Sequence, residues 1–149
     1  MTFDERTEKN LATLHPKAAA LARVFLEKAA AFLKDTGVVV KIISGTRTYA
    51  EQNALYAKGR TLPGPKVTNA RGGYSNHNFG VAFDIGLFQG AKYLDESPIY
   101  SKLGPIGEAA GLEWGGRWKS MQDEPHYQAP TGLTLAQMRE RVASGKSVL

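Results

Sequence analysis

The sequence predicts an α+β fold in which a small antiparallel sheet is flanked by helices. Three observations lead there. Apolar residues recur at helical spacing after Pro16, a β-branched run begins at Val38 and a second strand is read from Val81, and helices and strands are interspersed without a regular βαβ repeat. At 149 residues the chain has the length of one compact domain, and 1–149 is read as a single domain.

The first helix is expected around Pro16 to Lys34, where Leu21, Val24, Phe25, Ala29, Phe32 and Leu33 fall on one face. Asp35, Thr36 and Gly37 end it, with Gly37 as the left-handed cap. Val38 to Ile43 reads as a strand. Thr48 to Lys58 reads as a short helix closed by Gly59, and the glycines and prolines between Thr61 and Gly73 mark a long surface loop. Val81 to Phe88 is the second strand, and Pro98 to Ala110 a helix capped by Gly111. Short strands and turns are expected from Glu113 to Tyr127. Thr134 and Gln137 form a capping box ahead of a last helix that ends near Gly145.

Composition narrows the chemistry. The absence of cysteine excludes disulfides, thiolate metal sites, iron–sulfur clusters and a cysteine nucleophile. The net charge of +5 favours an anionic partner, but the charges are dispersed rather than clustered. No nucleic-acid motif accompanies them, and no nucleic-acid partner is expected. The N-terminal segment is polar and acidic, unlike a signal peptide. No run of about 18 apolar residues is present, so no stable membrane insertion is expected. The protein is expected to be a monomer.

Only three histidines occur: His15, His77 and His126. His77 precedes Asp84 by seven residues in Ser75-Asn76-His77-Asn78-Phe79-Gly80-Val81-Ala82-Phe83-Asp84, and His126 stands in Asp123-Glu124-Pro125-His126-Tyr127. Two imidazoles and a carboxylate are a common donor set for a catalytic zinc that keeps one position open for water. A further carboxylate, Asp123, suits the proton acceptor for that water. Spacing alone does not bring these segments together, and a loop histidine beside a surface aspartate gives the same pattern. His15, at the start of the first helix, is expected to be structural.

Ser75-x-His77-x-x-Gly80-x-Ala82-x-Asp84, followed by Asp123-x-Pro125-His126, resembles the signature of the D-alanyl-D-alanine carboxypeptidase and L-alanyl-D-glutamate endopeptidase family, zinc peptidases related in fold to lysostaphin-type enzymes and the hedgehog signalling domain. Ser44-Gly45-Thr46-Arg47-Thr48 resembles the family's segment with its active-site arginine. Glu51-Gln52-x-x-Leu55-Tyr56-x-x-Gly59-Arg60-Thr61 resembles a helix typical of the phage-endolysin branch. The similarity spans roughly residues 10 to 130.

The resemblance implies that Zn2+ is held by His77, Asp84 and His126. It implies Asp123 as acid/base, with Glu124 its adjacent competitor, and Arg47 as the residue that binds substrate and stabilises the oxyanion. Gln52 and Ser75 fall beside the cleft. Trp114 and Trp118 bracket Gly115-Gly116-Arg117, and Trp114 is expected among the substrate contacts. The substrate implied is the peptidoglycan stem peptide, cut at the L-Ala–D-Glu bond by a phage or prophage endolysin. Such a protein would stay in the host cytoplasm until a holin releases it to the wall, and no separate cell-wall-binding domain is expected. A D-alanyl-D-alanine carboxypeptidase and a non-catalytic zinc-bearing module are the other readings.

Overall fold

The computed structural model describes residues 2–149. Helix α1, Glu5–Ala12, precedes α2, Pro16–Phe32, and strand β1, Val38–Ser44. Helix α3, Tyr49–Ala57, leads into a long loop and then a 3-10 turn at Asn76–Asn78. Strands β2, Ala82–Gln89, and β3, Lys92–Leu94, are followed by helix α4, Pro98–Ala109. Strands β4, Glu113–Trp114, and β5, His126–Gln128, enclose a second 3-10 turn, and helix α5, Leu135–Ala143, follows. The expected elements are present with ends shifted by a residue or two. None of the described helices is long and apolar enough to cross a membrane.

All strand pairings are antiparallel, in the order β1-β2-β5-β4. Strand β3 pairs with Leu87–Gln89, along the edge of β2 whose other end carries β5. Alternation along β2 sends Phe83, Ile85 and Leu87 into the core and leaves Asp84 on the opposite face. The core closes between that sheet face and α2. Phe25 lies 4.4 Å from the Tyr127 ring, which stacks on Phe83 at 5.7 Å and 15°.

The buried face of α2 holds Phe25, Ala29 and, at its end, Leu33, as expected, but takes Ala18, Ala22 and Leu26 in place of Val24 and Phe32, which are exposed. Alanines at the contact let the helix lie close to the sheet. Periodicity reported the helix correctly but weighted side-chain size over fit.

Helix α1 was not expected, because its sequence is mostly polar. It caps a strand edge: Thr7 Oγ1 accepts from Ile42 N at 3.1 Å, and Asn10 Nδ2 donates to Ile42 O at 2.8 Å. These side chains satisfy the backbone of β1 next to the bulge between Ile42 and Ser44. Strand β3, also unexpected, is tied down by Tyr100 of α4, whose hydroxyl donates to Leu94 O at 2.6 Å and accepts from Leu87 N at 3.1 Å. Burial pushes that hydroxyl's pKa up to about 12.

Thr7 is buried, so Thr7→Val should keep the shape and orphan the Ile42 N–H. A loss of about 1–3 kcal/mol is expected in chemical denaturation. An unchanged denaturation midpoint would show that this bond does not hold the strand edge.

Candidate metal centre

The β2–β5 register sets Asp84 directly opposite His126, and the β1–β2 register sets Ser44 opposite Asp84. His77 arrives from the 3-10 turn, where Ser75 Oγ accepts from His77 N at 3.2 Å. The chain leaving β1 fixes that turn, through Arg47 N donating to His77 O at 2.8 Å and Asn78 Nδ2 donating to Arg47 O at 3.0 Å. Gly45 allows the close passage: a Cβ there would meet Thr13 Oγ1 at 2.4 Å and Asn10 O at 2.8 Å.

His77, Asp84 and His126 meet with their donor atoms within 4.8 Å of one another. His77 Nε2 lies 3.3 Å from Asp84 Oδ2, and His126 Nδ1 lies 3.2 Å from Asp84 Oδ1. Both imidazoles are buried.

The surrounding hydrogen bonds select the tautomers. His77 Nδ1 faces the Gly45 carbonyl at 2.9 Å, an acceptor, so Nδ1 carries the proton and Nε2 keeps its lone pair. His126 Nε2 faces Gln128 Oε1 at 2.7 Å. The amide orientation of Gln128 follows from its other end, because Gln128 Nε2 donates to the acceptor-only carboxylate of Glu113 at 3.2 Å. His126 Nε2 therefore donates, and Nδ1 keeps its lone pair. In the neutral rings both free lone pairs thus aim at one carboxylate. A proton on a ring or a cation placed among the three groups relieves that contact, and two nitrogens with a carboxylate oxygen fit zinc.

The titration directions show the same demand for positive charge beside Asp84. Burial works against the Asp84 charge, but the hydrogen bonds and charges of His126 and His77 hold its carboxyl well below the usual range. At His126 burial disfavours the imidazolium, and the Asp84 hydrogen bond and charge outweigh it, raising the pKa. Burial, reinforced by the Asp84 charge, pushes the Asp123 carboxyl up.

The triad opens onto a cleft lined by Arg47, Val67, Thr68, Ala70, Tyr74, Ser75, Trp118 and Asp123. Asp123, Ser75 and Arg47 therefore line the cleft onto which the triad opens. Glu124 does not: it lines a separate cavity with Asp95, Glu96 and Tyr100. Gly115 permits the approach of the Asp123 loop, since a Cβ there would meet Asp123 O at 2.3 Å and His126 Cβ at 3.1 Å.

Two expected substrate contacts need correction. Trp114 is a core residue: it pairs with Tyr127 across β4–β5, lies on Gly104 and Gly116, and donates Nε1–H to Glu124 O at 2.8 Å. Trp118 faces the cleft instead, with its ring centroid 4.9 Å from that of His126. Gln52 is fully buried behind the cleft wall. Its Oε1 accepts from Arg47 at 3.2 Å and its Nε2 donates to Ala70 O at 2.8 Å, so it positions Arg47 rather than touching substrate. His15 is the N-cap of α2, as expected for a structural role. Gln128 and Glu113 were missed, although Gln128 stands two residues past His126 and so shares its face of β5.

A buried triad of two imidazoles and a carboxylate, opening onto a cleft beside a further carboxylate, is a donor set suited to a hydrolytic metal ion. A family model for D-alanyl-D-alanine carboxypeptidase matches residues 68–129. The peptidoglycan L-alanyl-D-glutamate endopeptidase CwlK of Bacillus subtilis (strain 168) is 40% identical over 115 residues, which are 68% of this chain and 65% of that protein. The chain thus spans just under two thirds of this relative's length. The crystal structure of the L-Ala D-Glu endopeptidase ChiX of Serratia marcescens superposes with a TM-score of 0.65 at 24% identity, covering 89% of this chain and 92% of that one. The vancomycin resistance D,D-pentapeptidase VanY of the VanB-type cassette, solved in complex with Zn(II), gives a TM-score of 0.56 at 16% identity, over 91% and 81% of the two chains. The chain is thus similar in sequence to D-alanyl-D-alanine carboxypeptidases and to an L-alanyl-D-glutamate endopeptidase.

Gln128→Leu should weaken zinc binding by about 10–100-fold, because His126 loses the acceptor that fixes its tautomer. Competition with a fluorescent chelator reads this directly, and unchanged affinity would remove Gln128 from the account.

A second expectation concerns pH in chelator-treated protein. The raised His126 pKa makes its contact with Asp84 fully stabilising below the usual 6.5, and the contribution fades as pH rises through the folded-state pKa. The depressed Asp84 pKa adds stability above 3.8, so that part stays constant near neutrality. Thermal midpoints of wild type should therefore fall towards those of His126→Gln as pH rises from mildly acid to mildly alkaline, whereas parallel curves would contradict the assignment.

Proposed function

We infer that the protein is a zinc-dependent endopeptidase of peptidoglycan stem peptide that cuts the L-Ala–D-Glu bond. The observation that carries the hydrolytic reading is the pair of imidazole lone pairs aimed at Asp84 beside an Asp123 carboxyl of raised pKa. The identity with CwlK, a peptidoglycan L-alanyl-D-glutamate endopeptidase, supports the choice of bond. His77, Asp84 and His126 would hold the zinc. When bound, zinc supplies Lewis-acid polarisation of the scissile carbonyl and charge stabilisation at its oxygen.

The chain's own groups do the remaining work. Asp123 takes a proton from the attacking water and returns it to the leaving amine, and its raised pKa brings both transfers closer to balance near neutral pH. Arg47 lines the cleft, and its guanidinium is a donor suited to the substrate's carbonyl oxygen. Gln52 holds that guanidinium in place. Trp118 and Val67 offer apolar surface to the peptide.

Digestion of purified peptidoglycan, followed by mass spectrometry, tests the reading. New D-glutamate N-termini and new C-terminal L-alanine are expected, and release of D-alanine would instead mark a carboxypeptidase. In the same assay Asp123→Ala should retain zinc and lose about 10²–10⁴-fold in turnover. Glu124→Ala, altered outside the cleft, should stay close to wild type. A reversal of these two effects would move the base to Glu124.

A further inference from the structure

Tyr74 stands on the cleft wall one residue before Ser75, and two cations rest on its ring. The Arg71 guanidinium carbon lies 4.3 Å from the ring centroid and that of Arg139 lies 4.0 Å away. Arg71 donates to the Tyr74 hydroxyl at 3.0 Å. Arg139 reaches from α5 to donate to Gly73 O at 3.1 Å. Gly73 leaves little room to spare, because a Cβ there would lie 3.2 Å from Arg139 Cδ and 3.3 Å from the Tyr49 ring.

Arg23 and Arg117 are neutralised by Glu8 and Glu108. Among the described residues, neither Arg71 nor Arg139 has a carboxylate within 4.0 Å. Two guanidiniums held against one phenol ring repel each other, and an anion bound beside either one lowers that cost. Each carries a fork of N–H donors of which the contacts above engage only one. Stacking also restricts both side chains in advance, so capturing an anion costs less ordering entropy. The same environment draws the Tyr74 hydroxyl below its usual range, through the Arg71 hydrogen bond first and then the two charges.

We propose that Arg71, Tyr74 and Arg139 form an anion subsite on the rim of the cleft that receives a carboxylate of the bound peptide in charge-assisted fork contacts. The proposal rests on the peptidase reading, and it separates two jobs: Arg47 serves the reacting carbonyl beside the triad, while the rim pair reads the substrate's charge. Helix α5, beyond the residues that match the family model, thereby contributes to substrate choice. In a stem peptide the carboxylate comes from one of two sources, the carboxyl of D-glutamate outside the chain or the free C-terminus.

The test uses zinc-loaded protein carrying Asp123→Asn, so that bound peptide is not consumed. The probes are a tripeptide of L-alanine, γ-linked D-glutamate and L-lysine, its two monoamides, and the diamide, measured by calorimetry. The free acid should bind about tenfold tighter than the diamide. Arg71→Gln and Arg139→Gln should each reduce that preference while leaving the diamide's affinity unchanged, and the monoamide that loses affinity identifies the carboxylate. Equal binding of acid and diamide, or equal loss for both in the variants, would overturn the subsite. Hydrolysis by the protein with Asp123 intact is scored separately. Acid-selective binding without cleavage would sink the peptidase reading and leave the subsite standing, and cleavage without acid selectivity would do the reverse.

Discussion

One carboxylate shared between two imidazoles organises this molecule. Asp84 offers one oxygen to His77 and the other to His126, at 3.3 and 3.2 Å. Each imidazole is turned by an acceptor on its far side, the Gly45 carbonyl or the Gln128 amide oxygen. With those acceptors in place, the neutral rings cannot satisfy Asp84 by donating to it. With neutral rings the cluster is frustrated, and a proton on a ring or a cation among the three groups satisfies it, which is why burial of so much polar surface is tolerable here.

The rest of the fold supplies the constraints that keep this arrangement. Antiparallel pairing of β2 with β5 gives the Asp84–His126 contact, and the next pairing outward, Glu113 with Gln128, supplies the support behind His126. A row of polar side chains thus crosses one face of the sheet while Phe83 and Tyr127 fill the other. His77 depends on a different device, a 3-10 turn bolted to the segment after β1 by Arg47, Asn78 and Gly45. That segment is in turn pressed against α1 through Thr13. The polar N-terminal helix therefore acts on the site from a distance, by fixing where β1 ends.

Much of this was legible in the sequence because the ligands sit in short motifs with fixed spacing. The Ser75-to-Asp84 and Asp123-to-His126 segments, with the Arg47 segment, pointed to the residues that the fold brings together. Helix and strand positions followed from periodicity and from Gly and Pro punctuation. What stayed hidden depended on tertiary fit. Helix α1 carries few apolar residues, and its function is to bond the backbone of β1. Trp114 and Trp118 look alike in sequence, and only the missing Cβ atoms of Gly104 and Gly116 draw the first into the core. Gln52 matched a motif beside the cleft, yet its amide is spent on Arg47 and Ala70. Arg139 lies 66 residues from the carbonyl it contacts, a distance at which no local pattern reports a partnership.

The most direct test of the central claim is imidazole ¹⁵N–¹H correlation spectroscopy on labelled protein before and after one equivalent of zinc. The three histidines make the spectrum simple to assign. The hydrogen-bond pattern predicts that zinc binds His77 through Nε2 and His126 through Nδ1, with His77 Nδ1 and His126 Nε2 remaining protonated. Coordination of both rings through the same nitrogen, or spectra indifferent to zinc, would contradict the account.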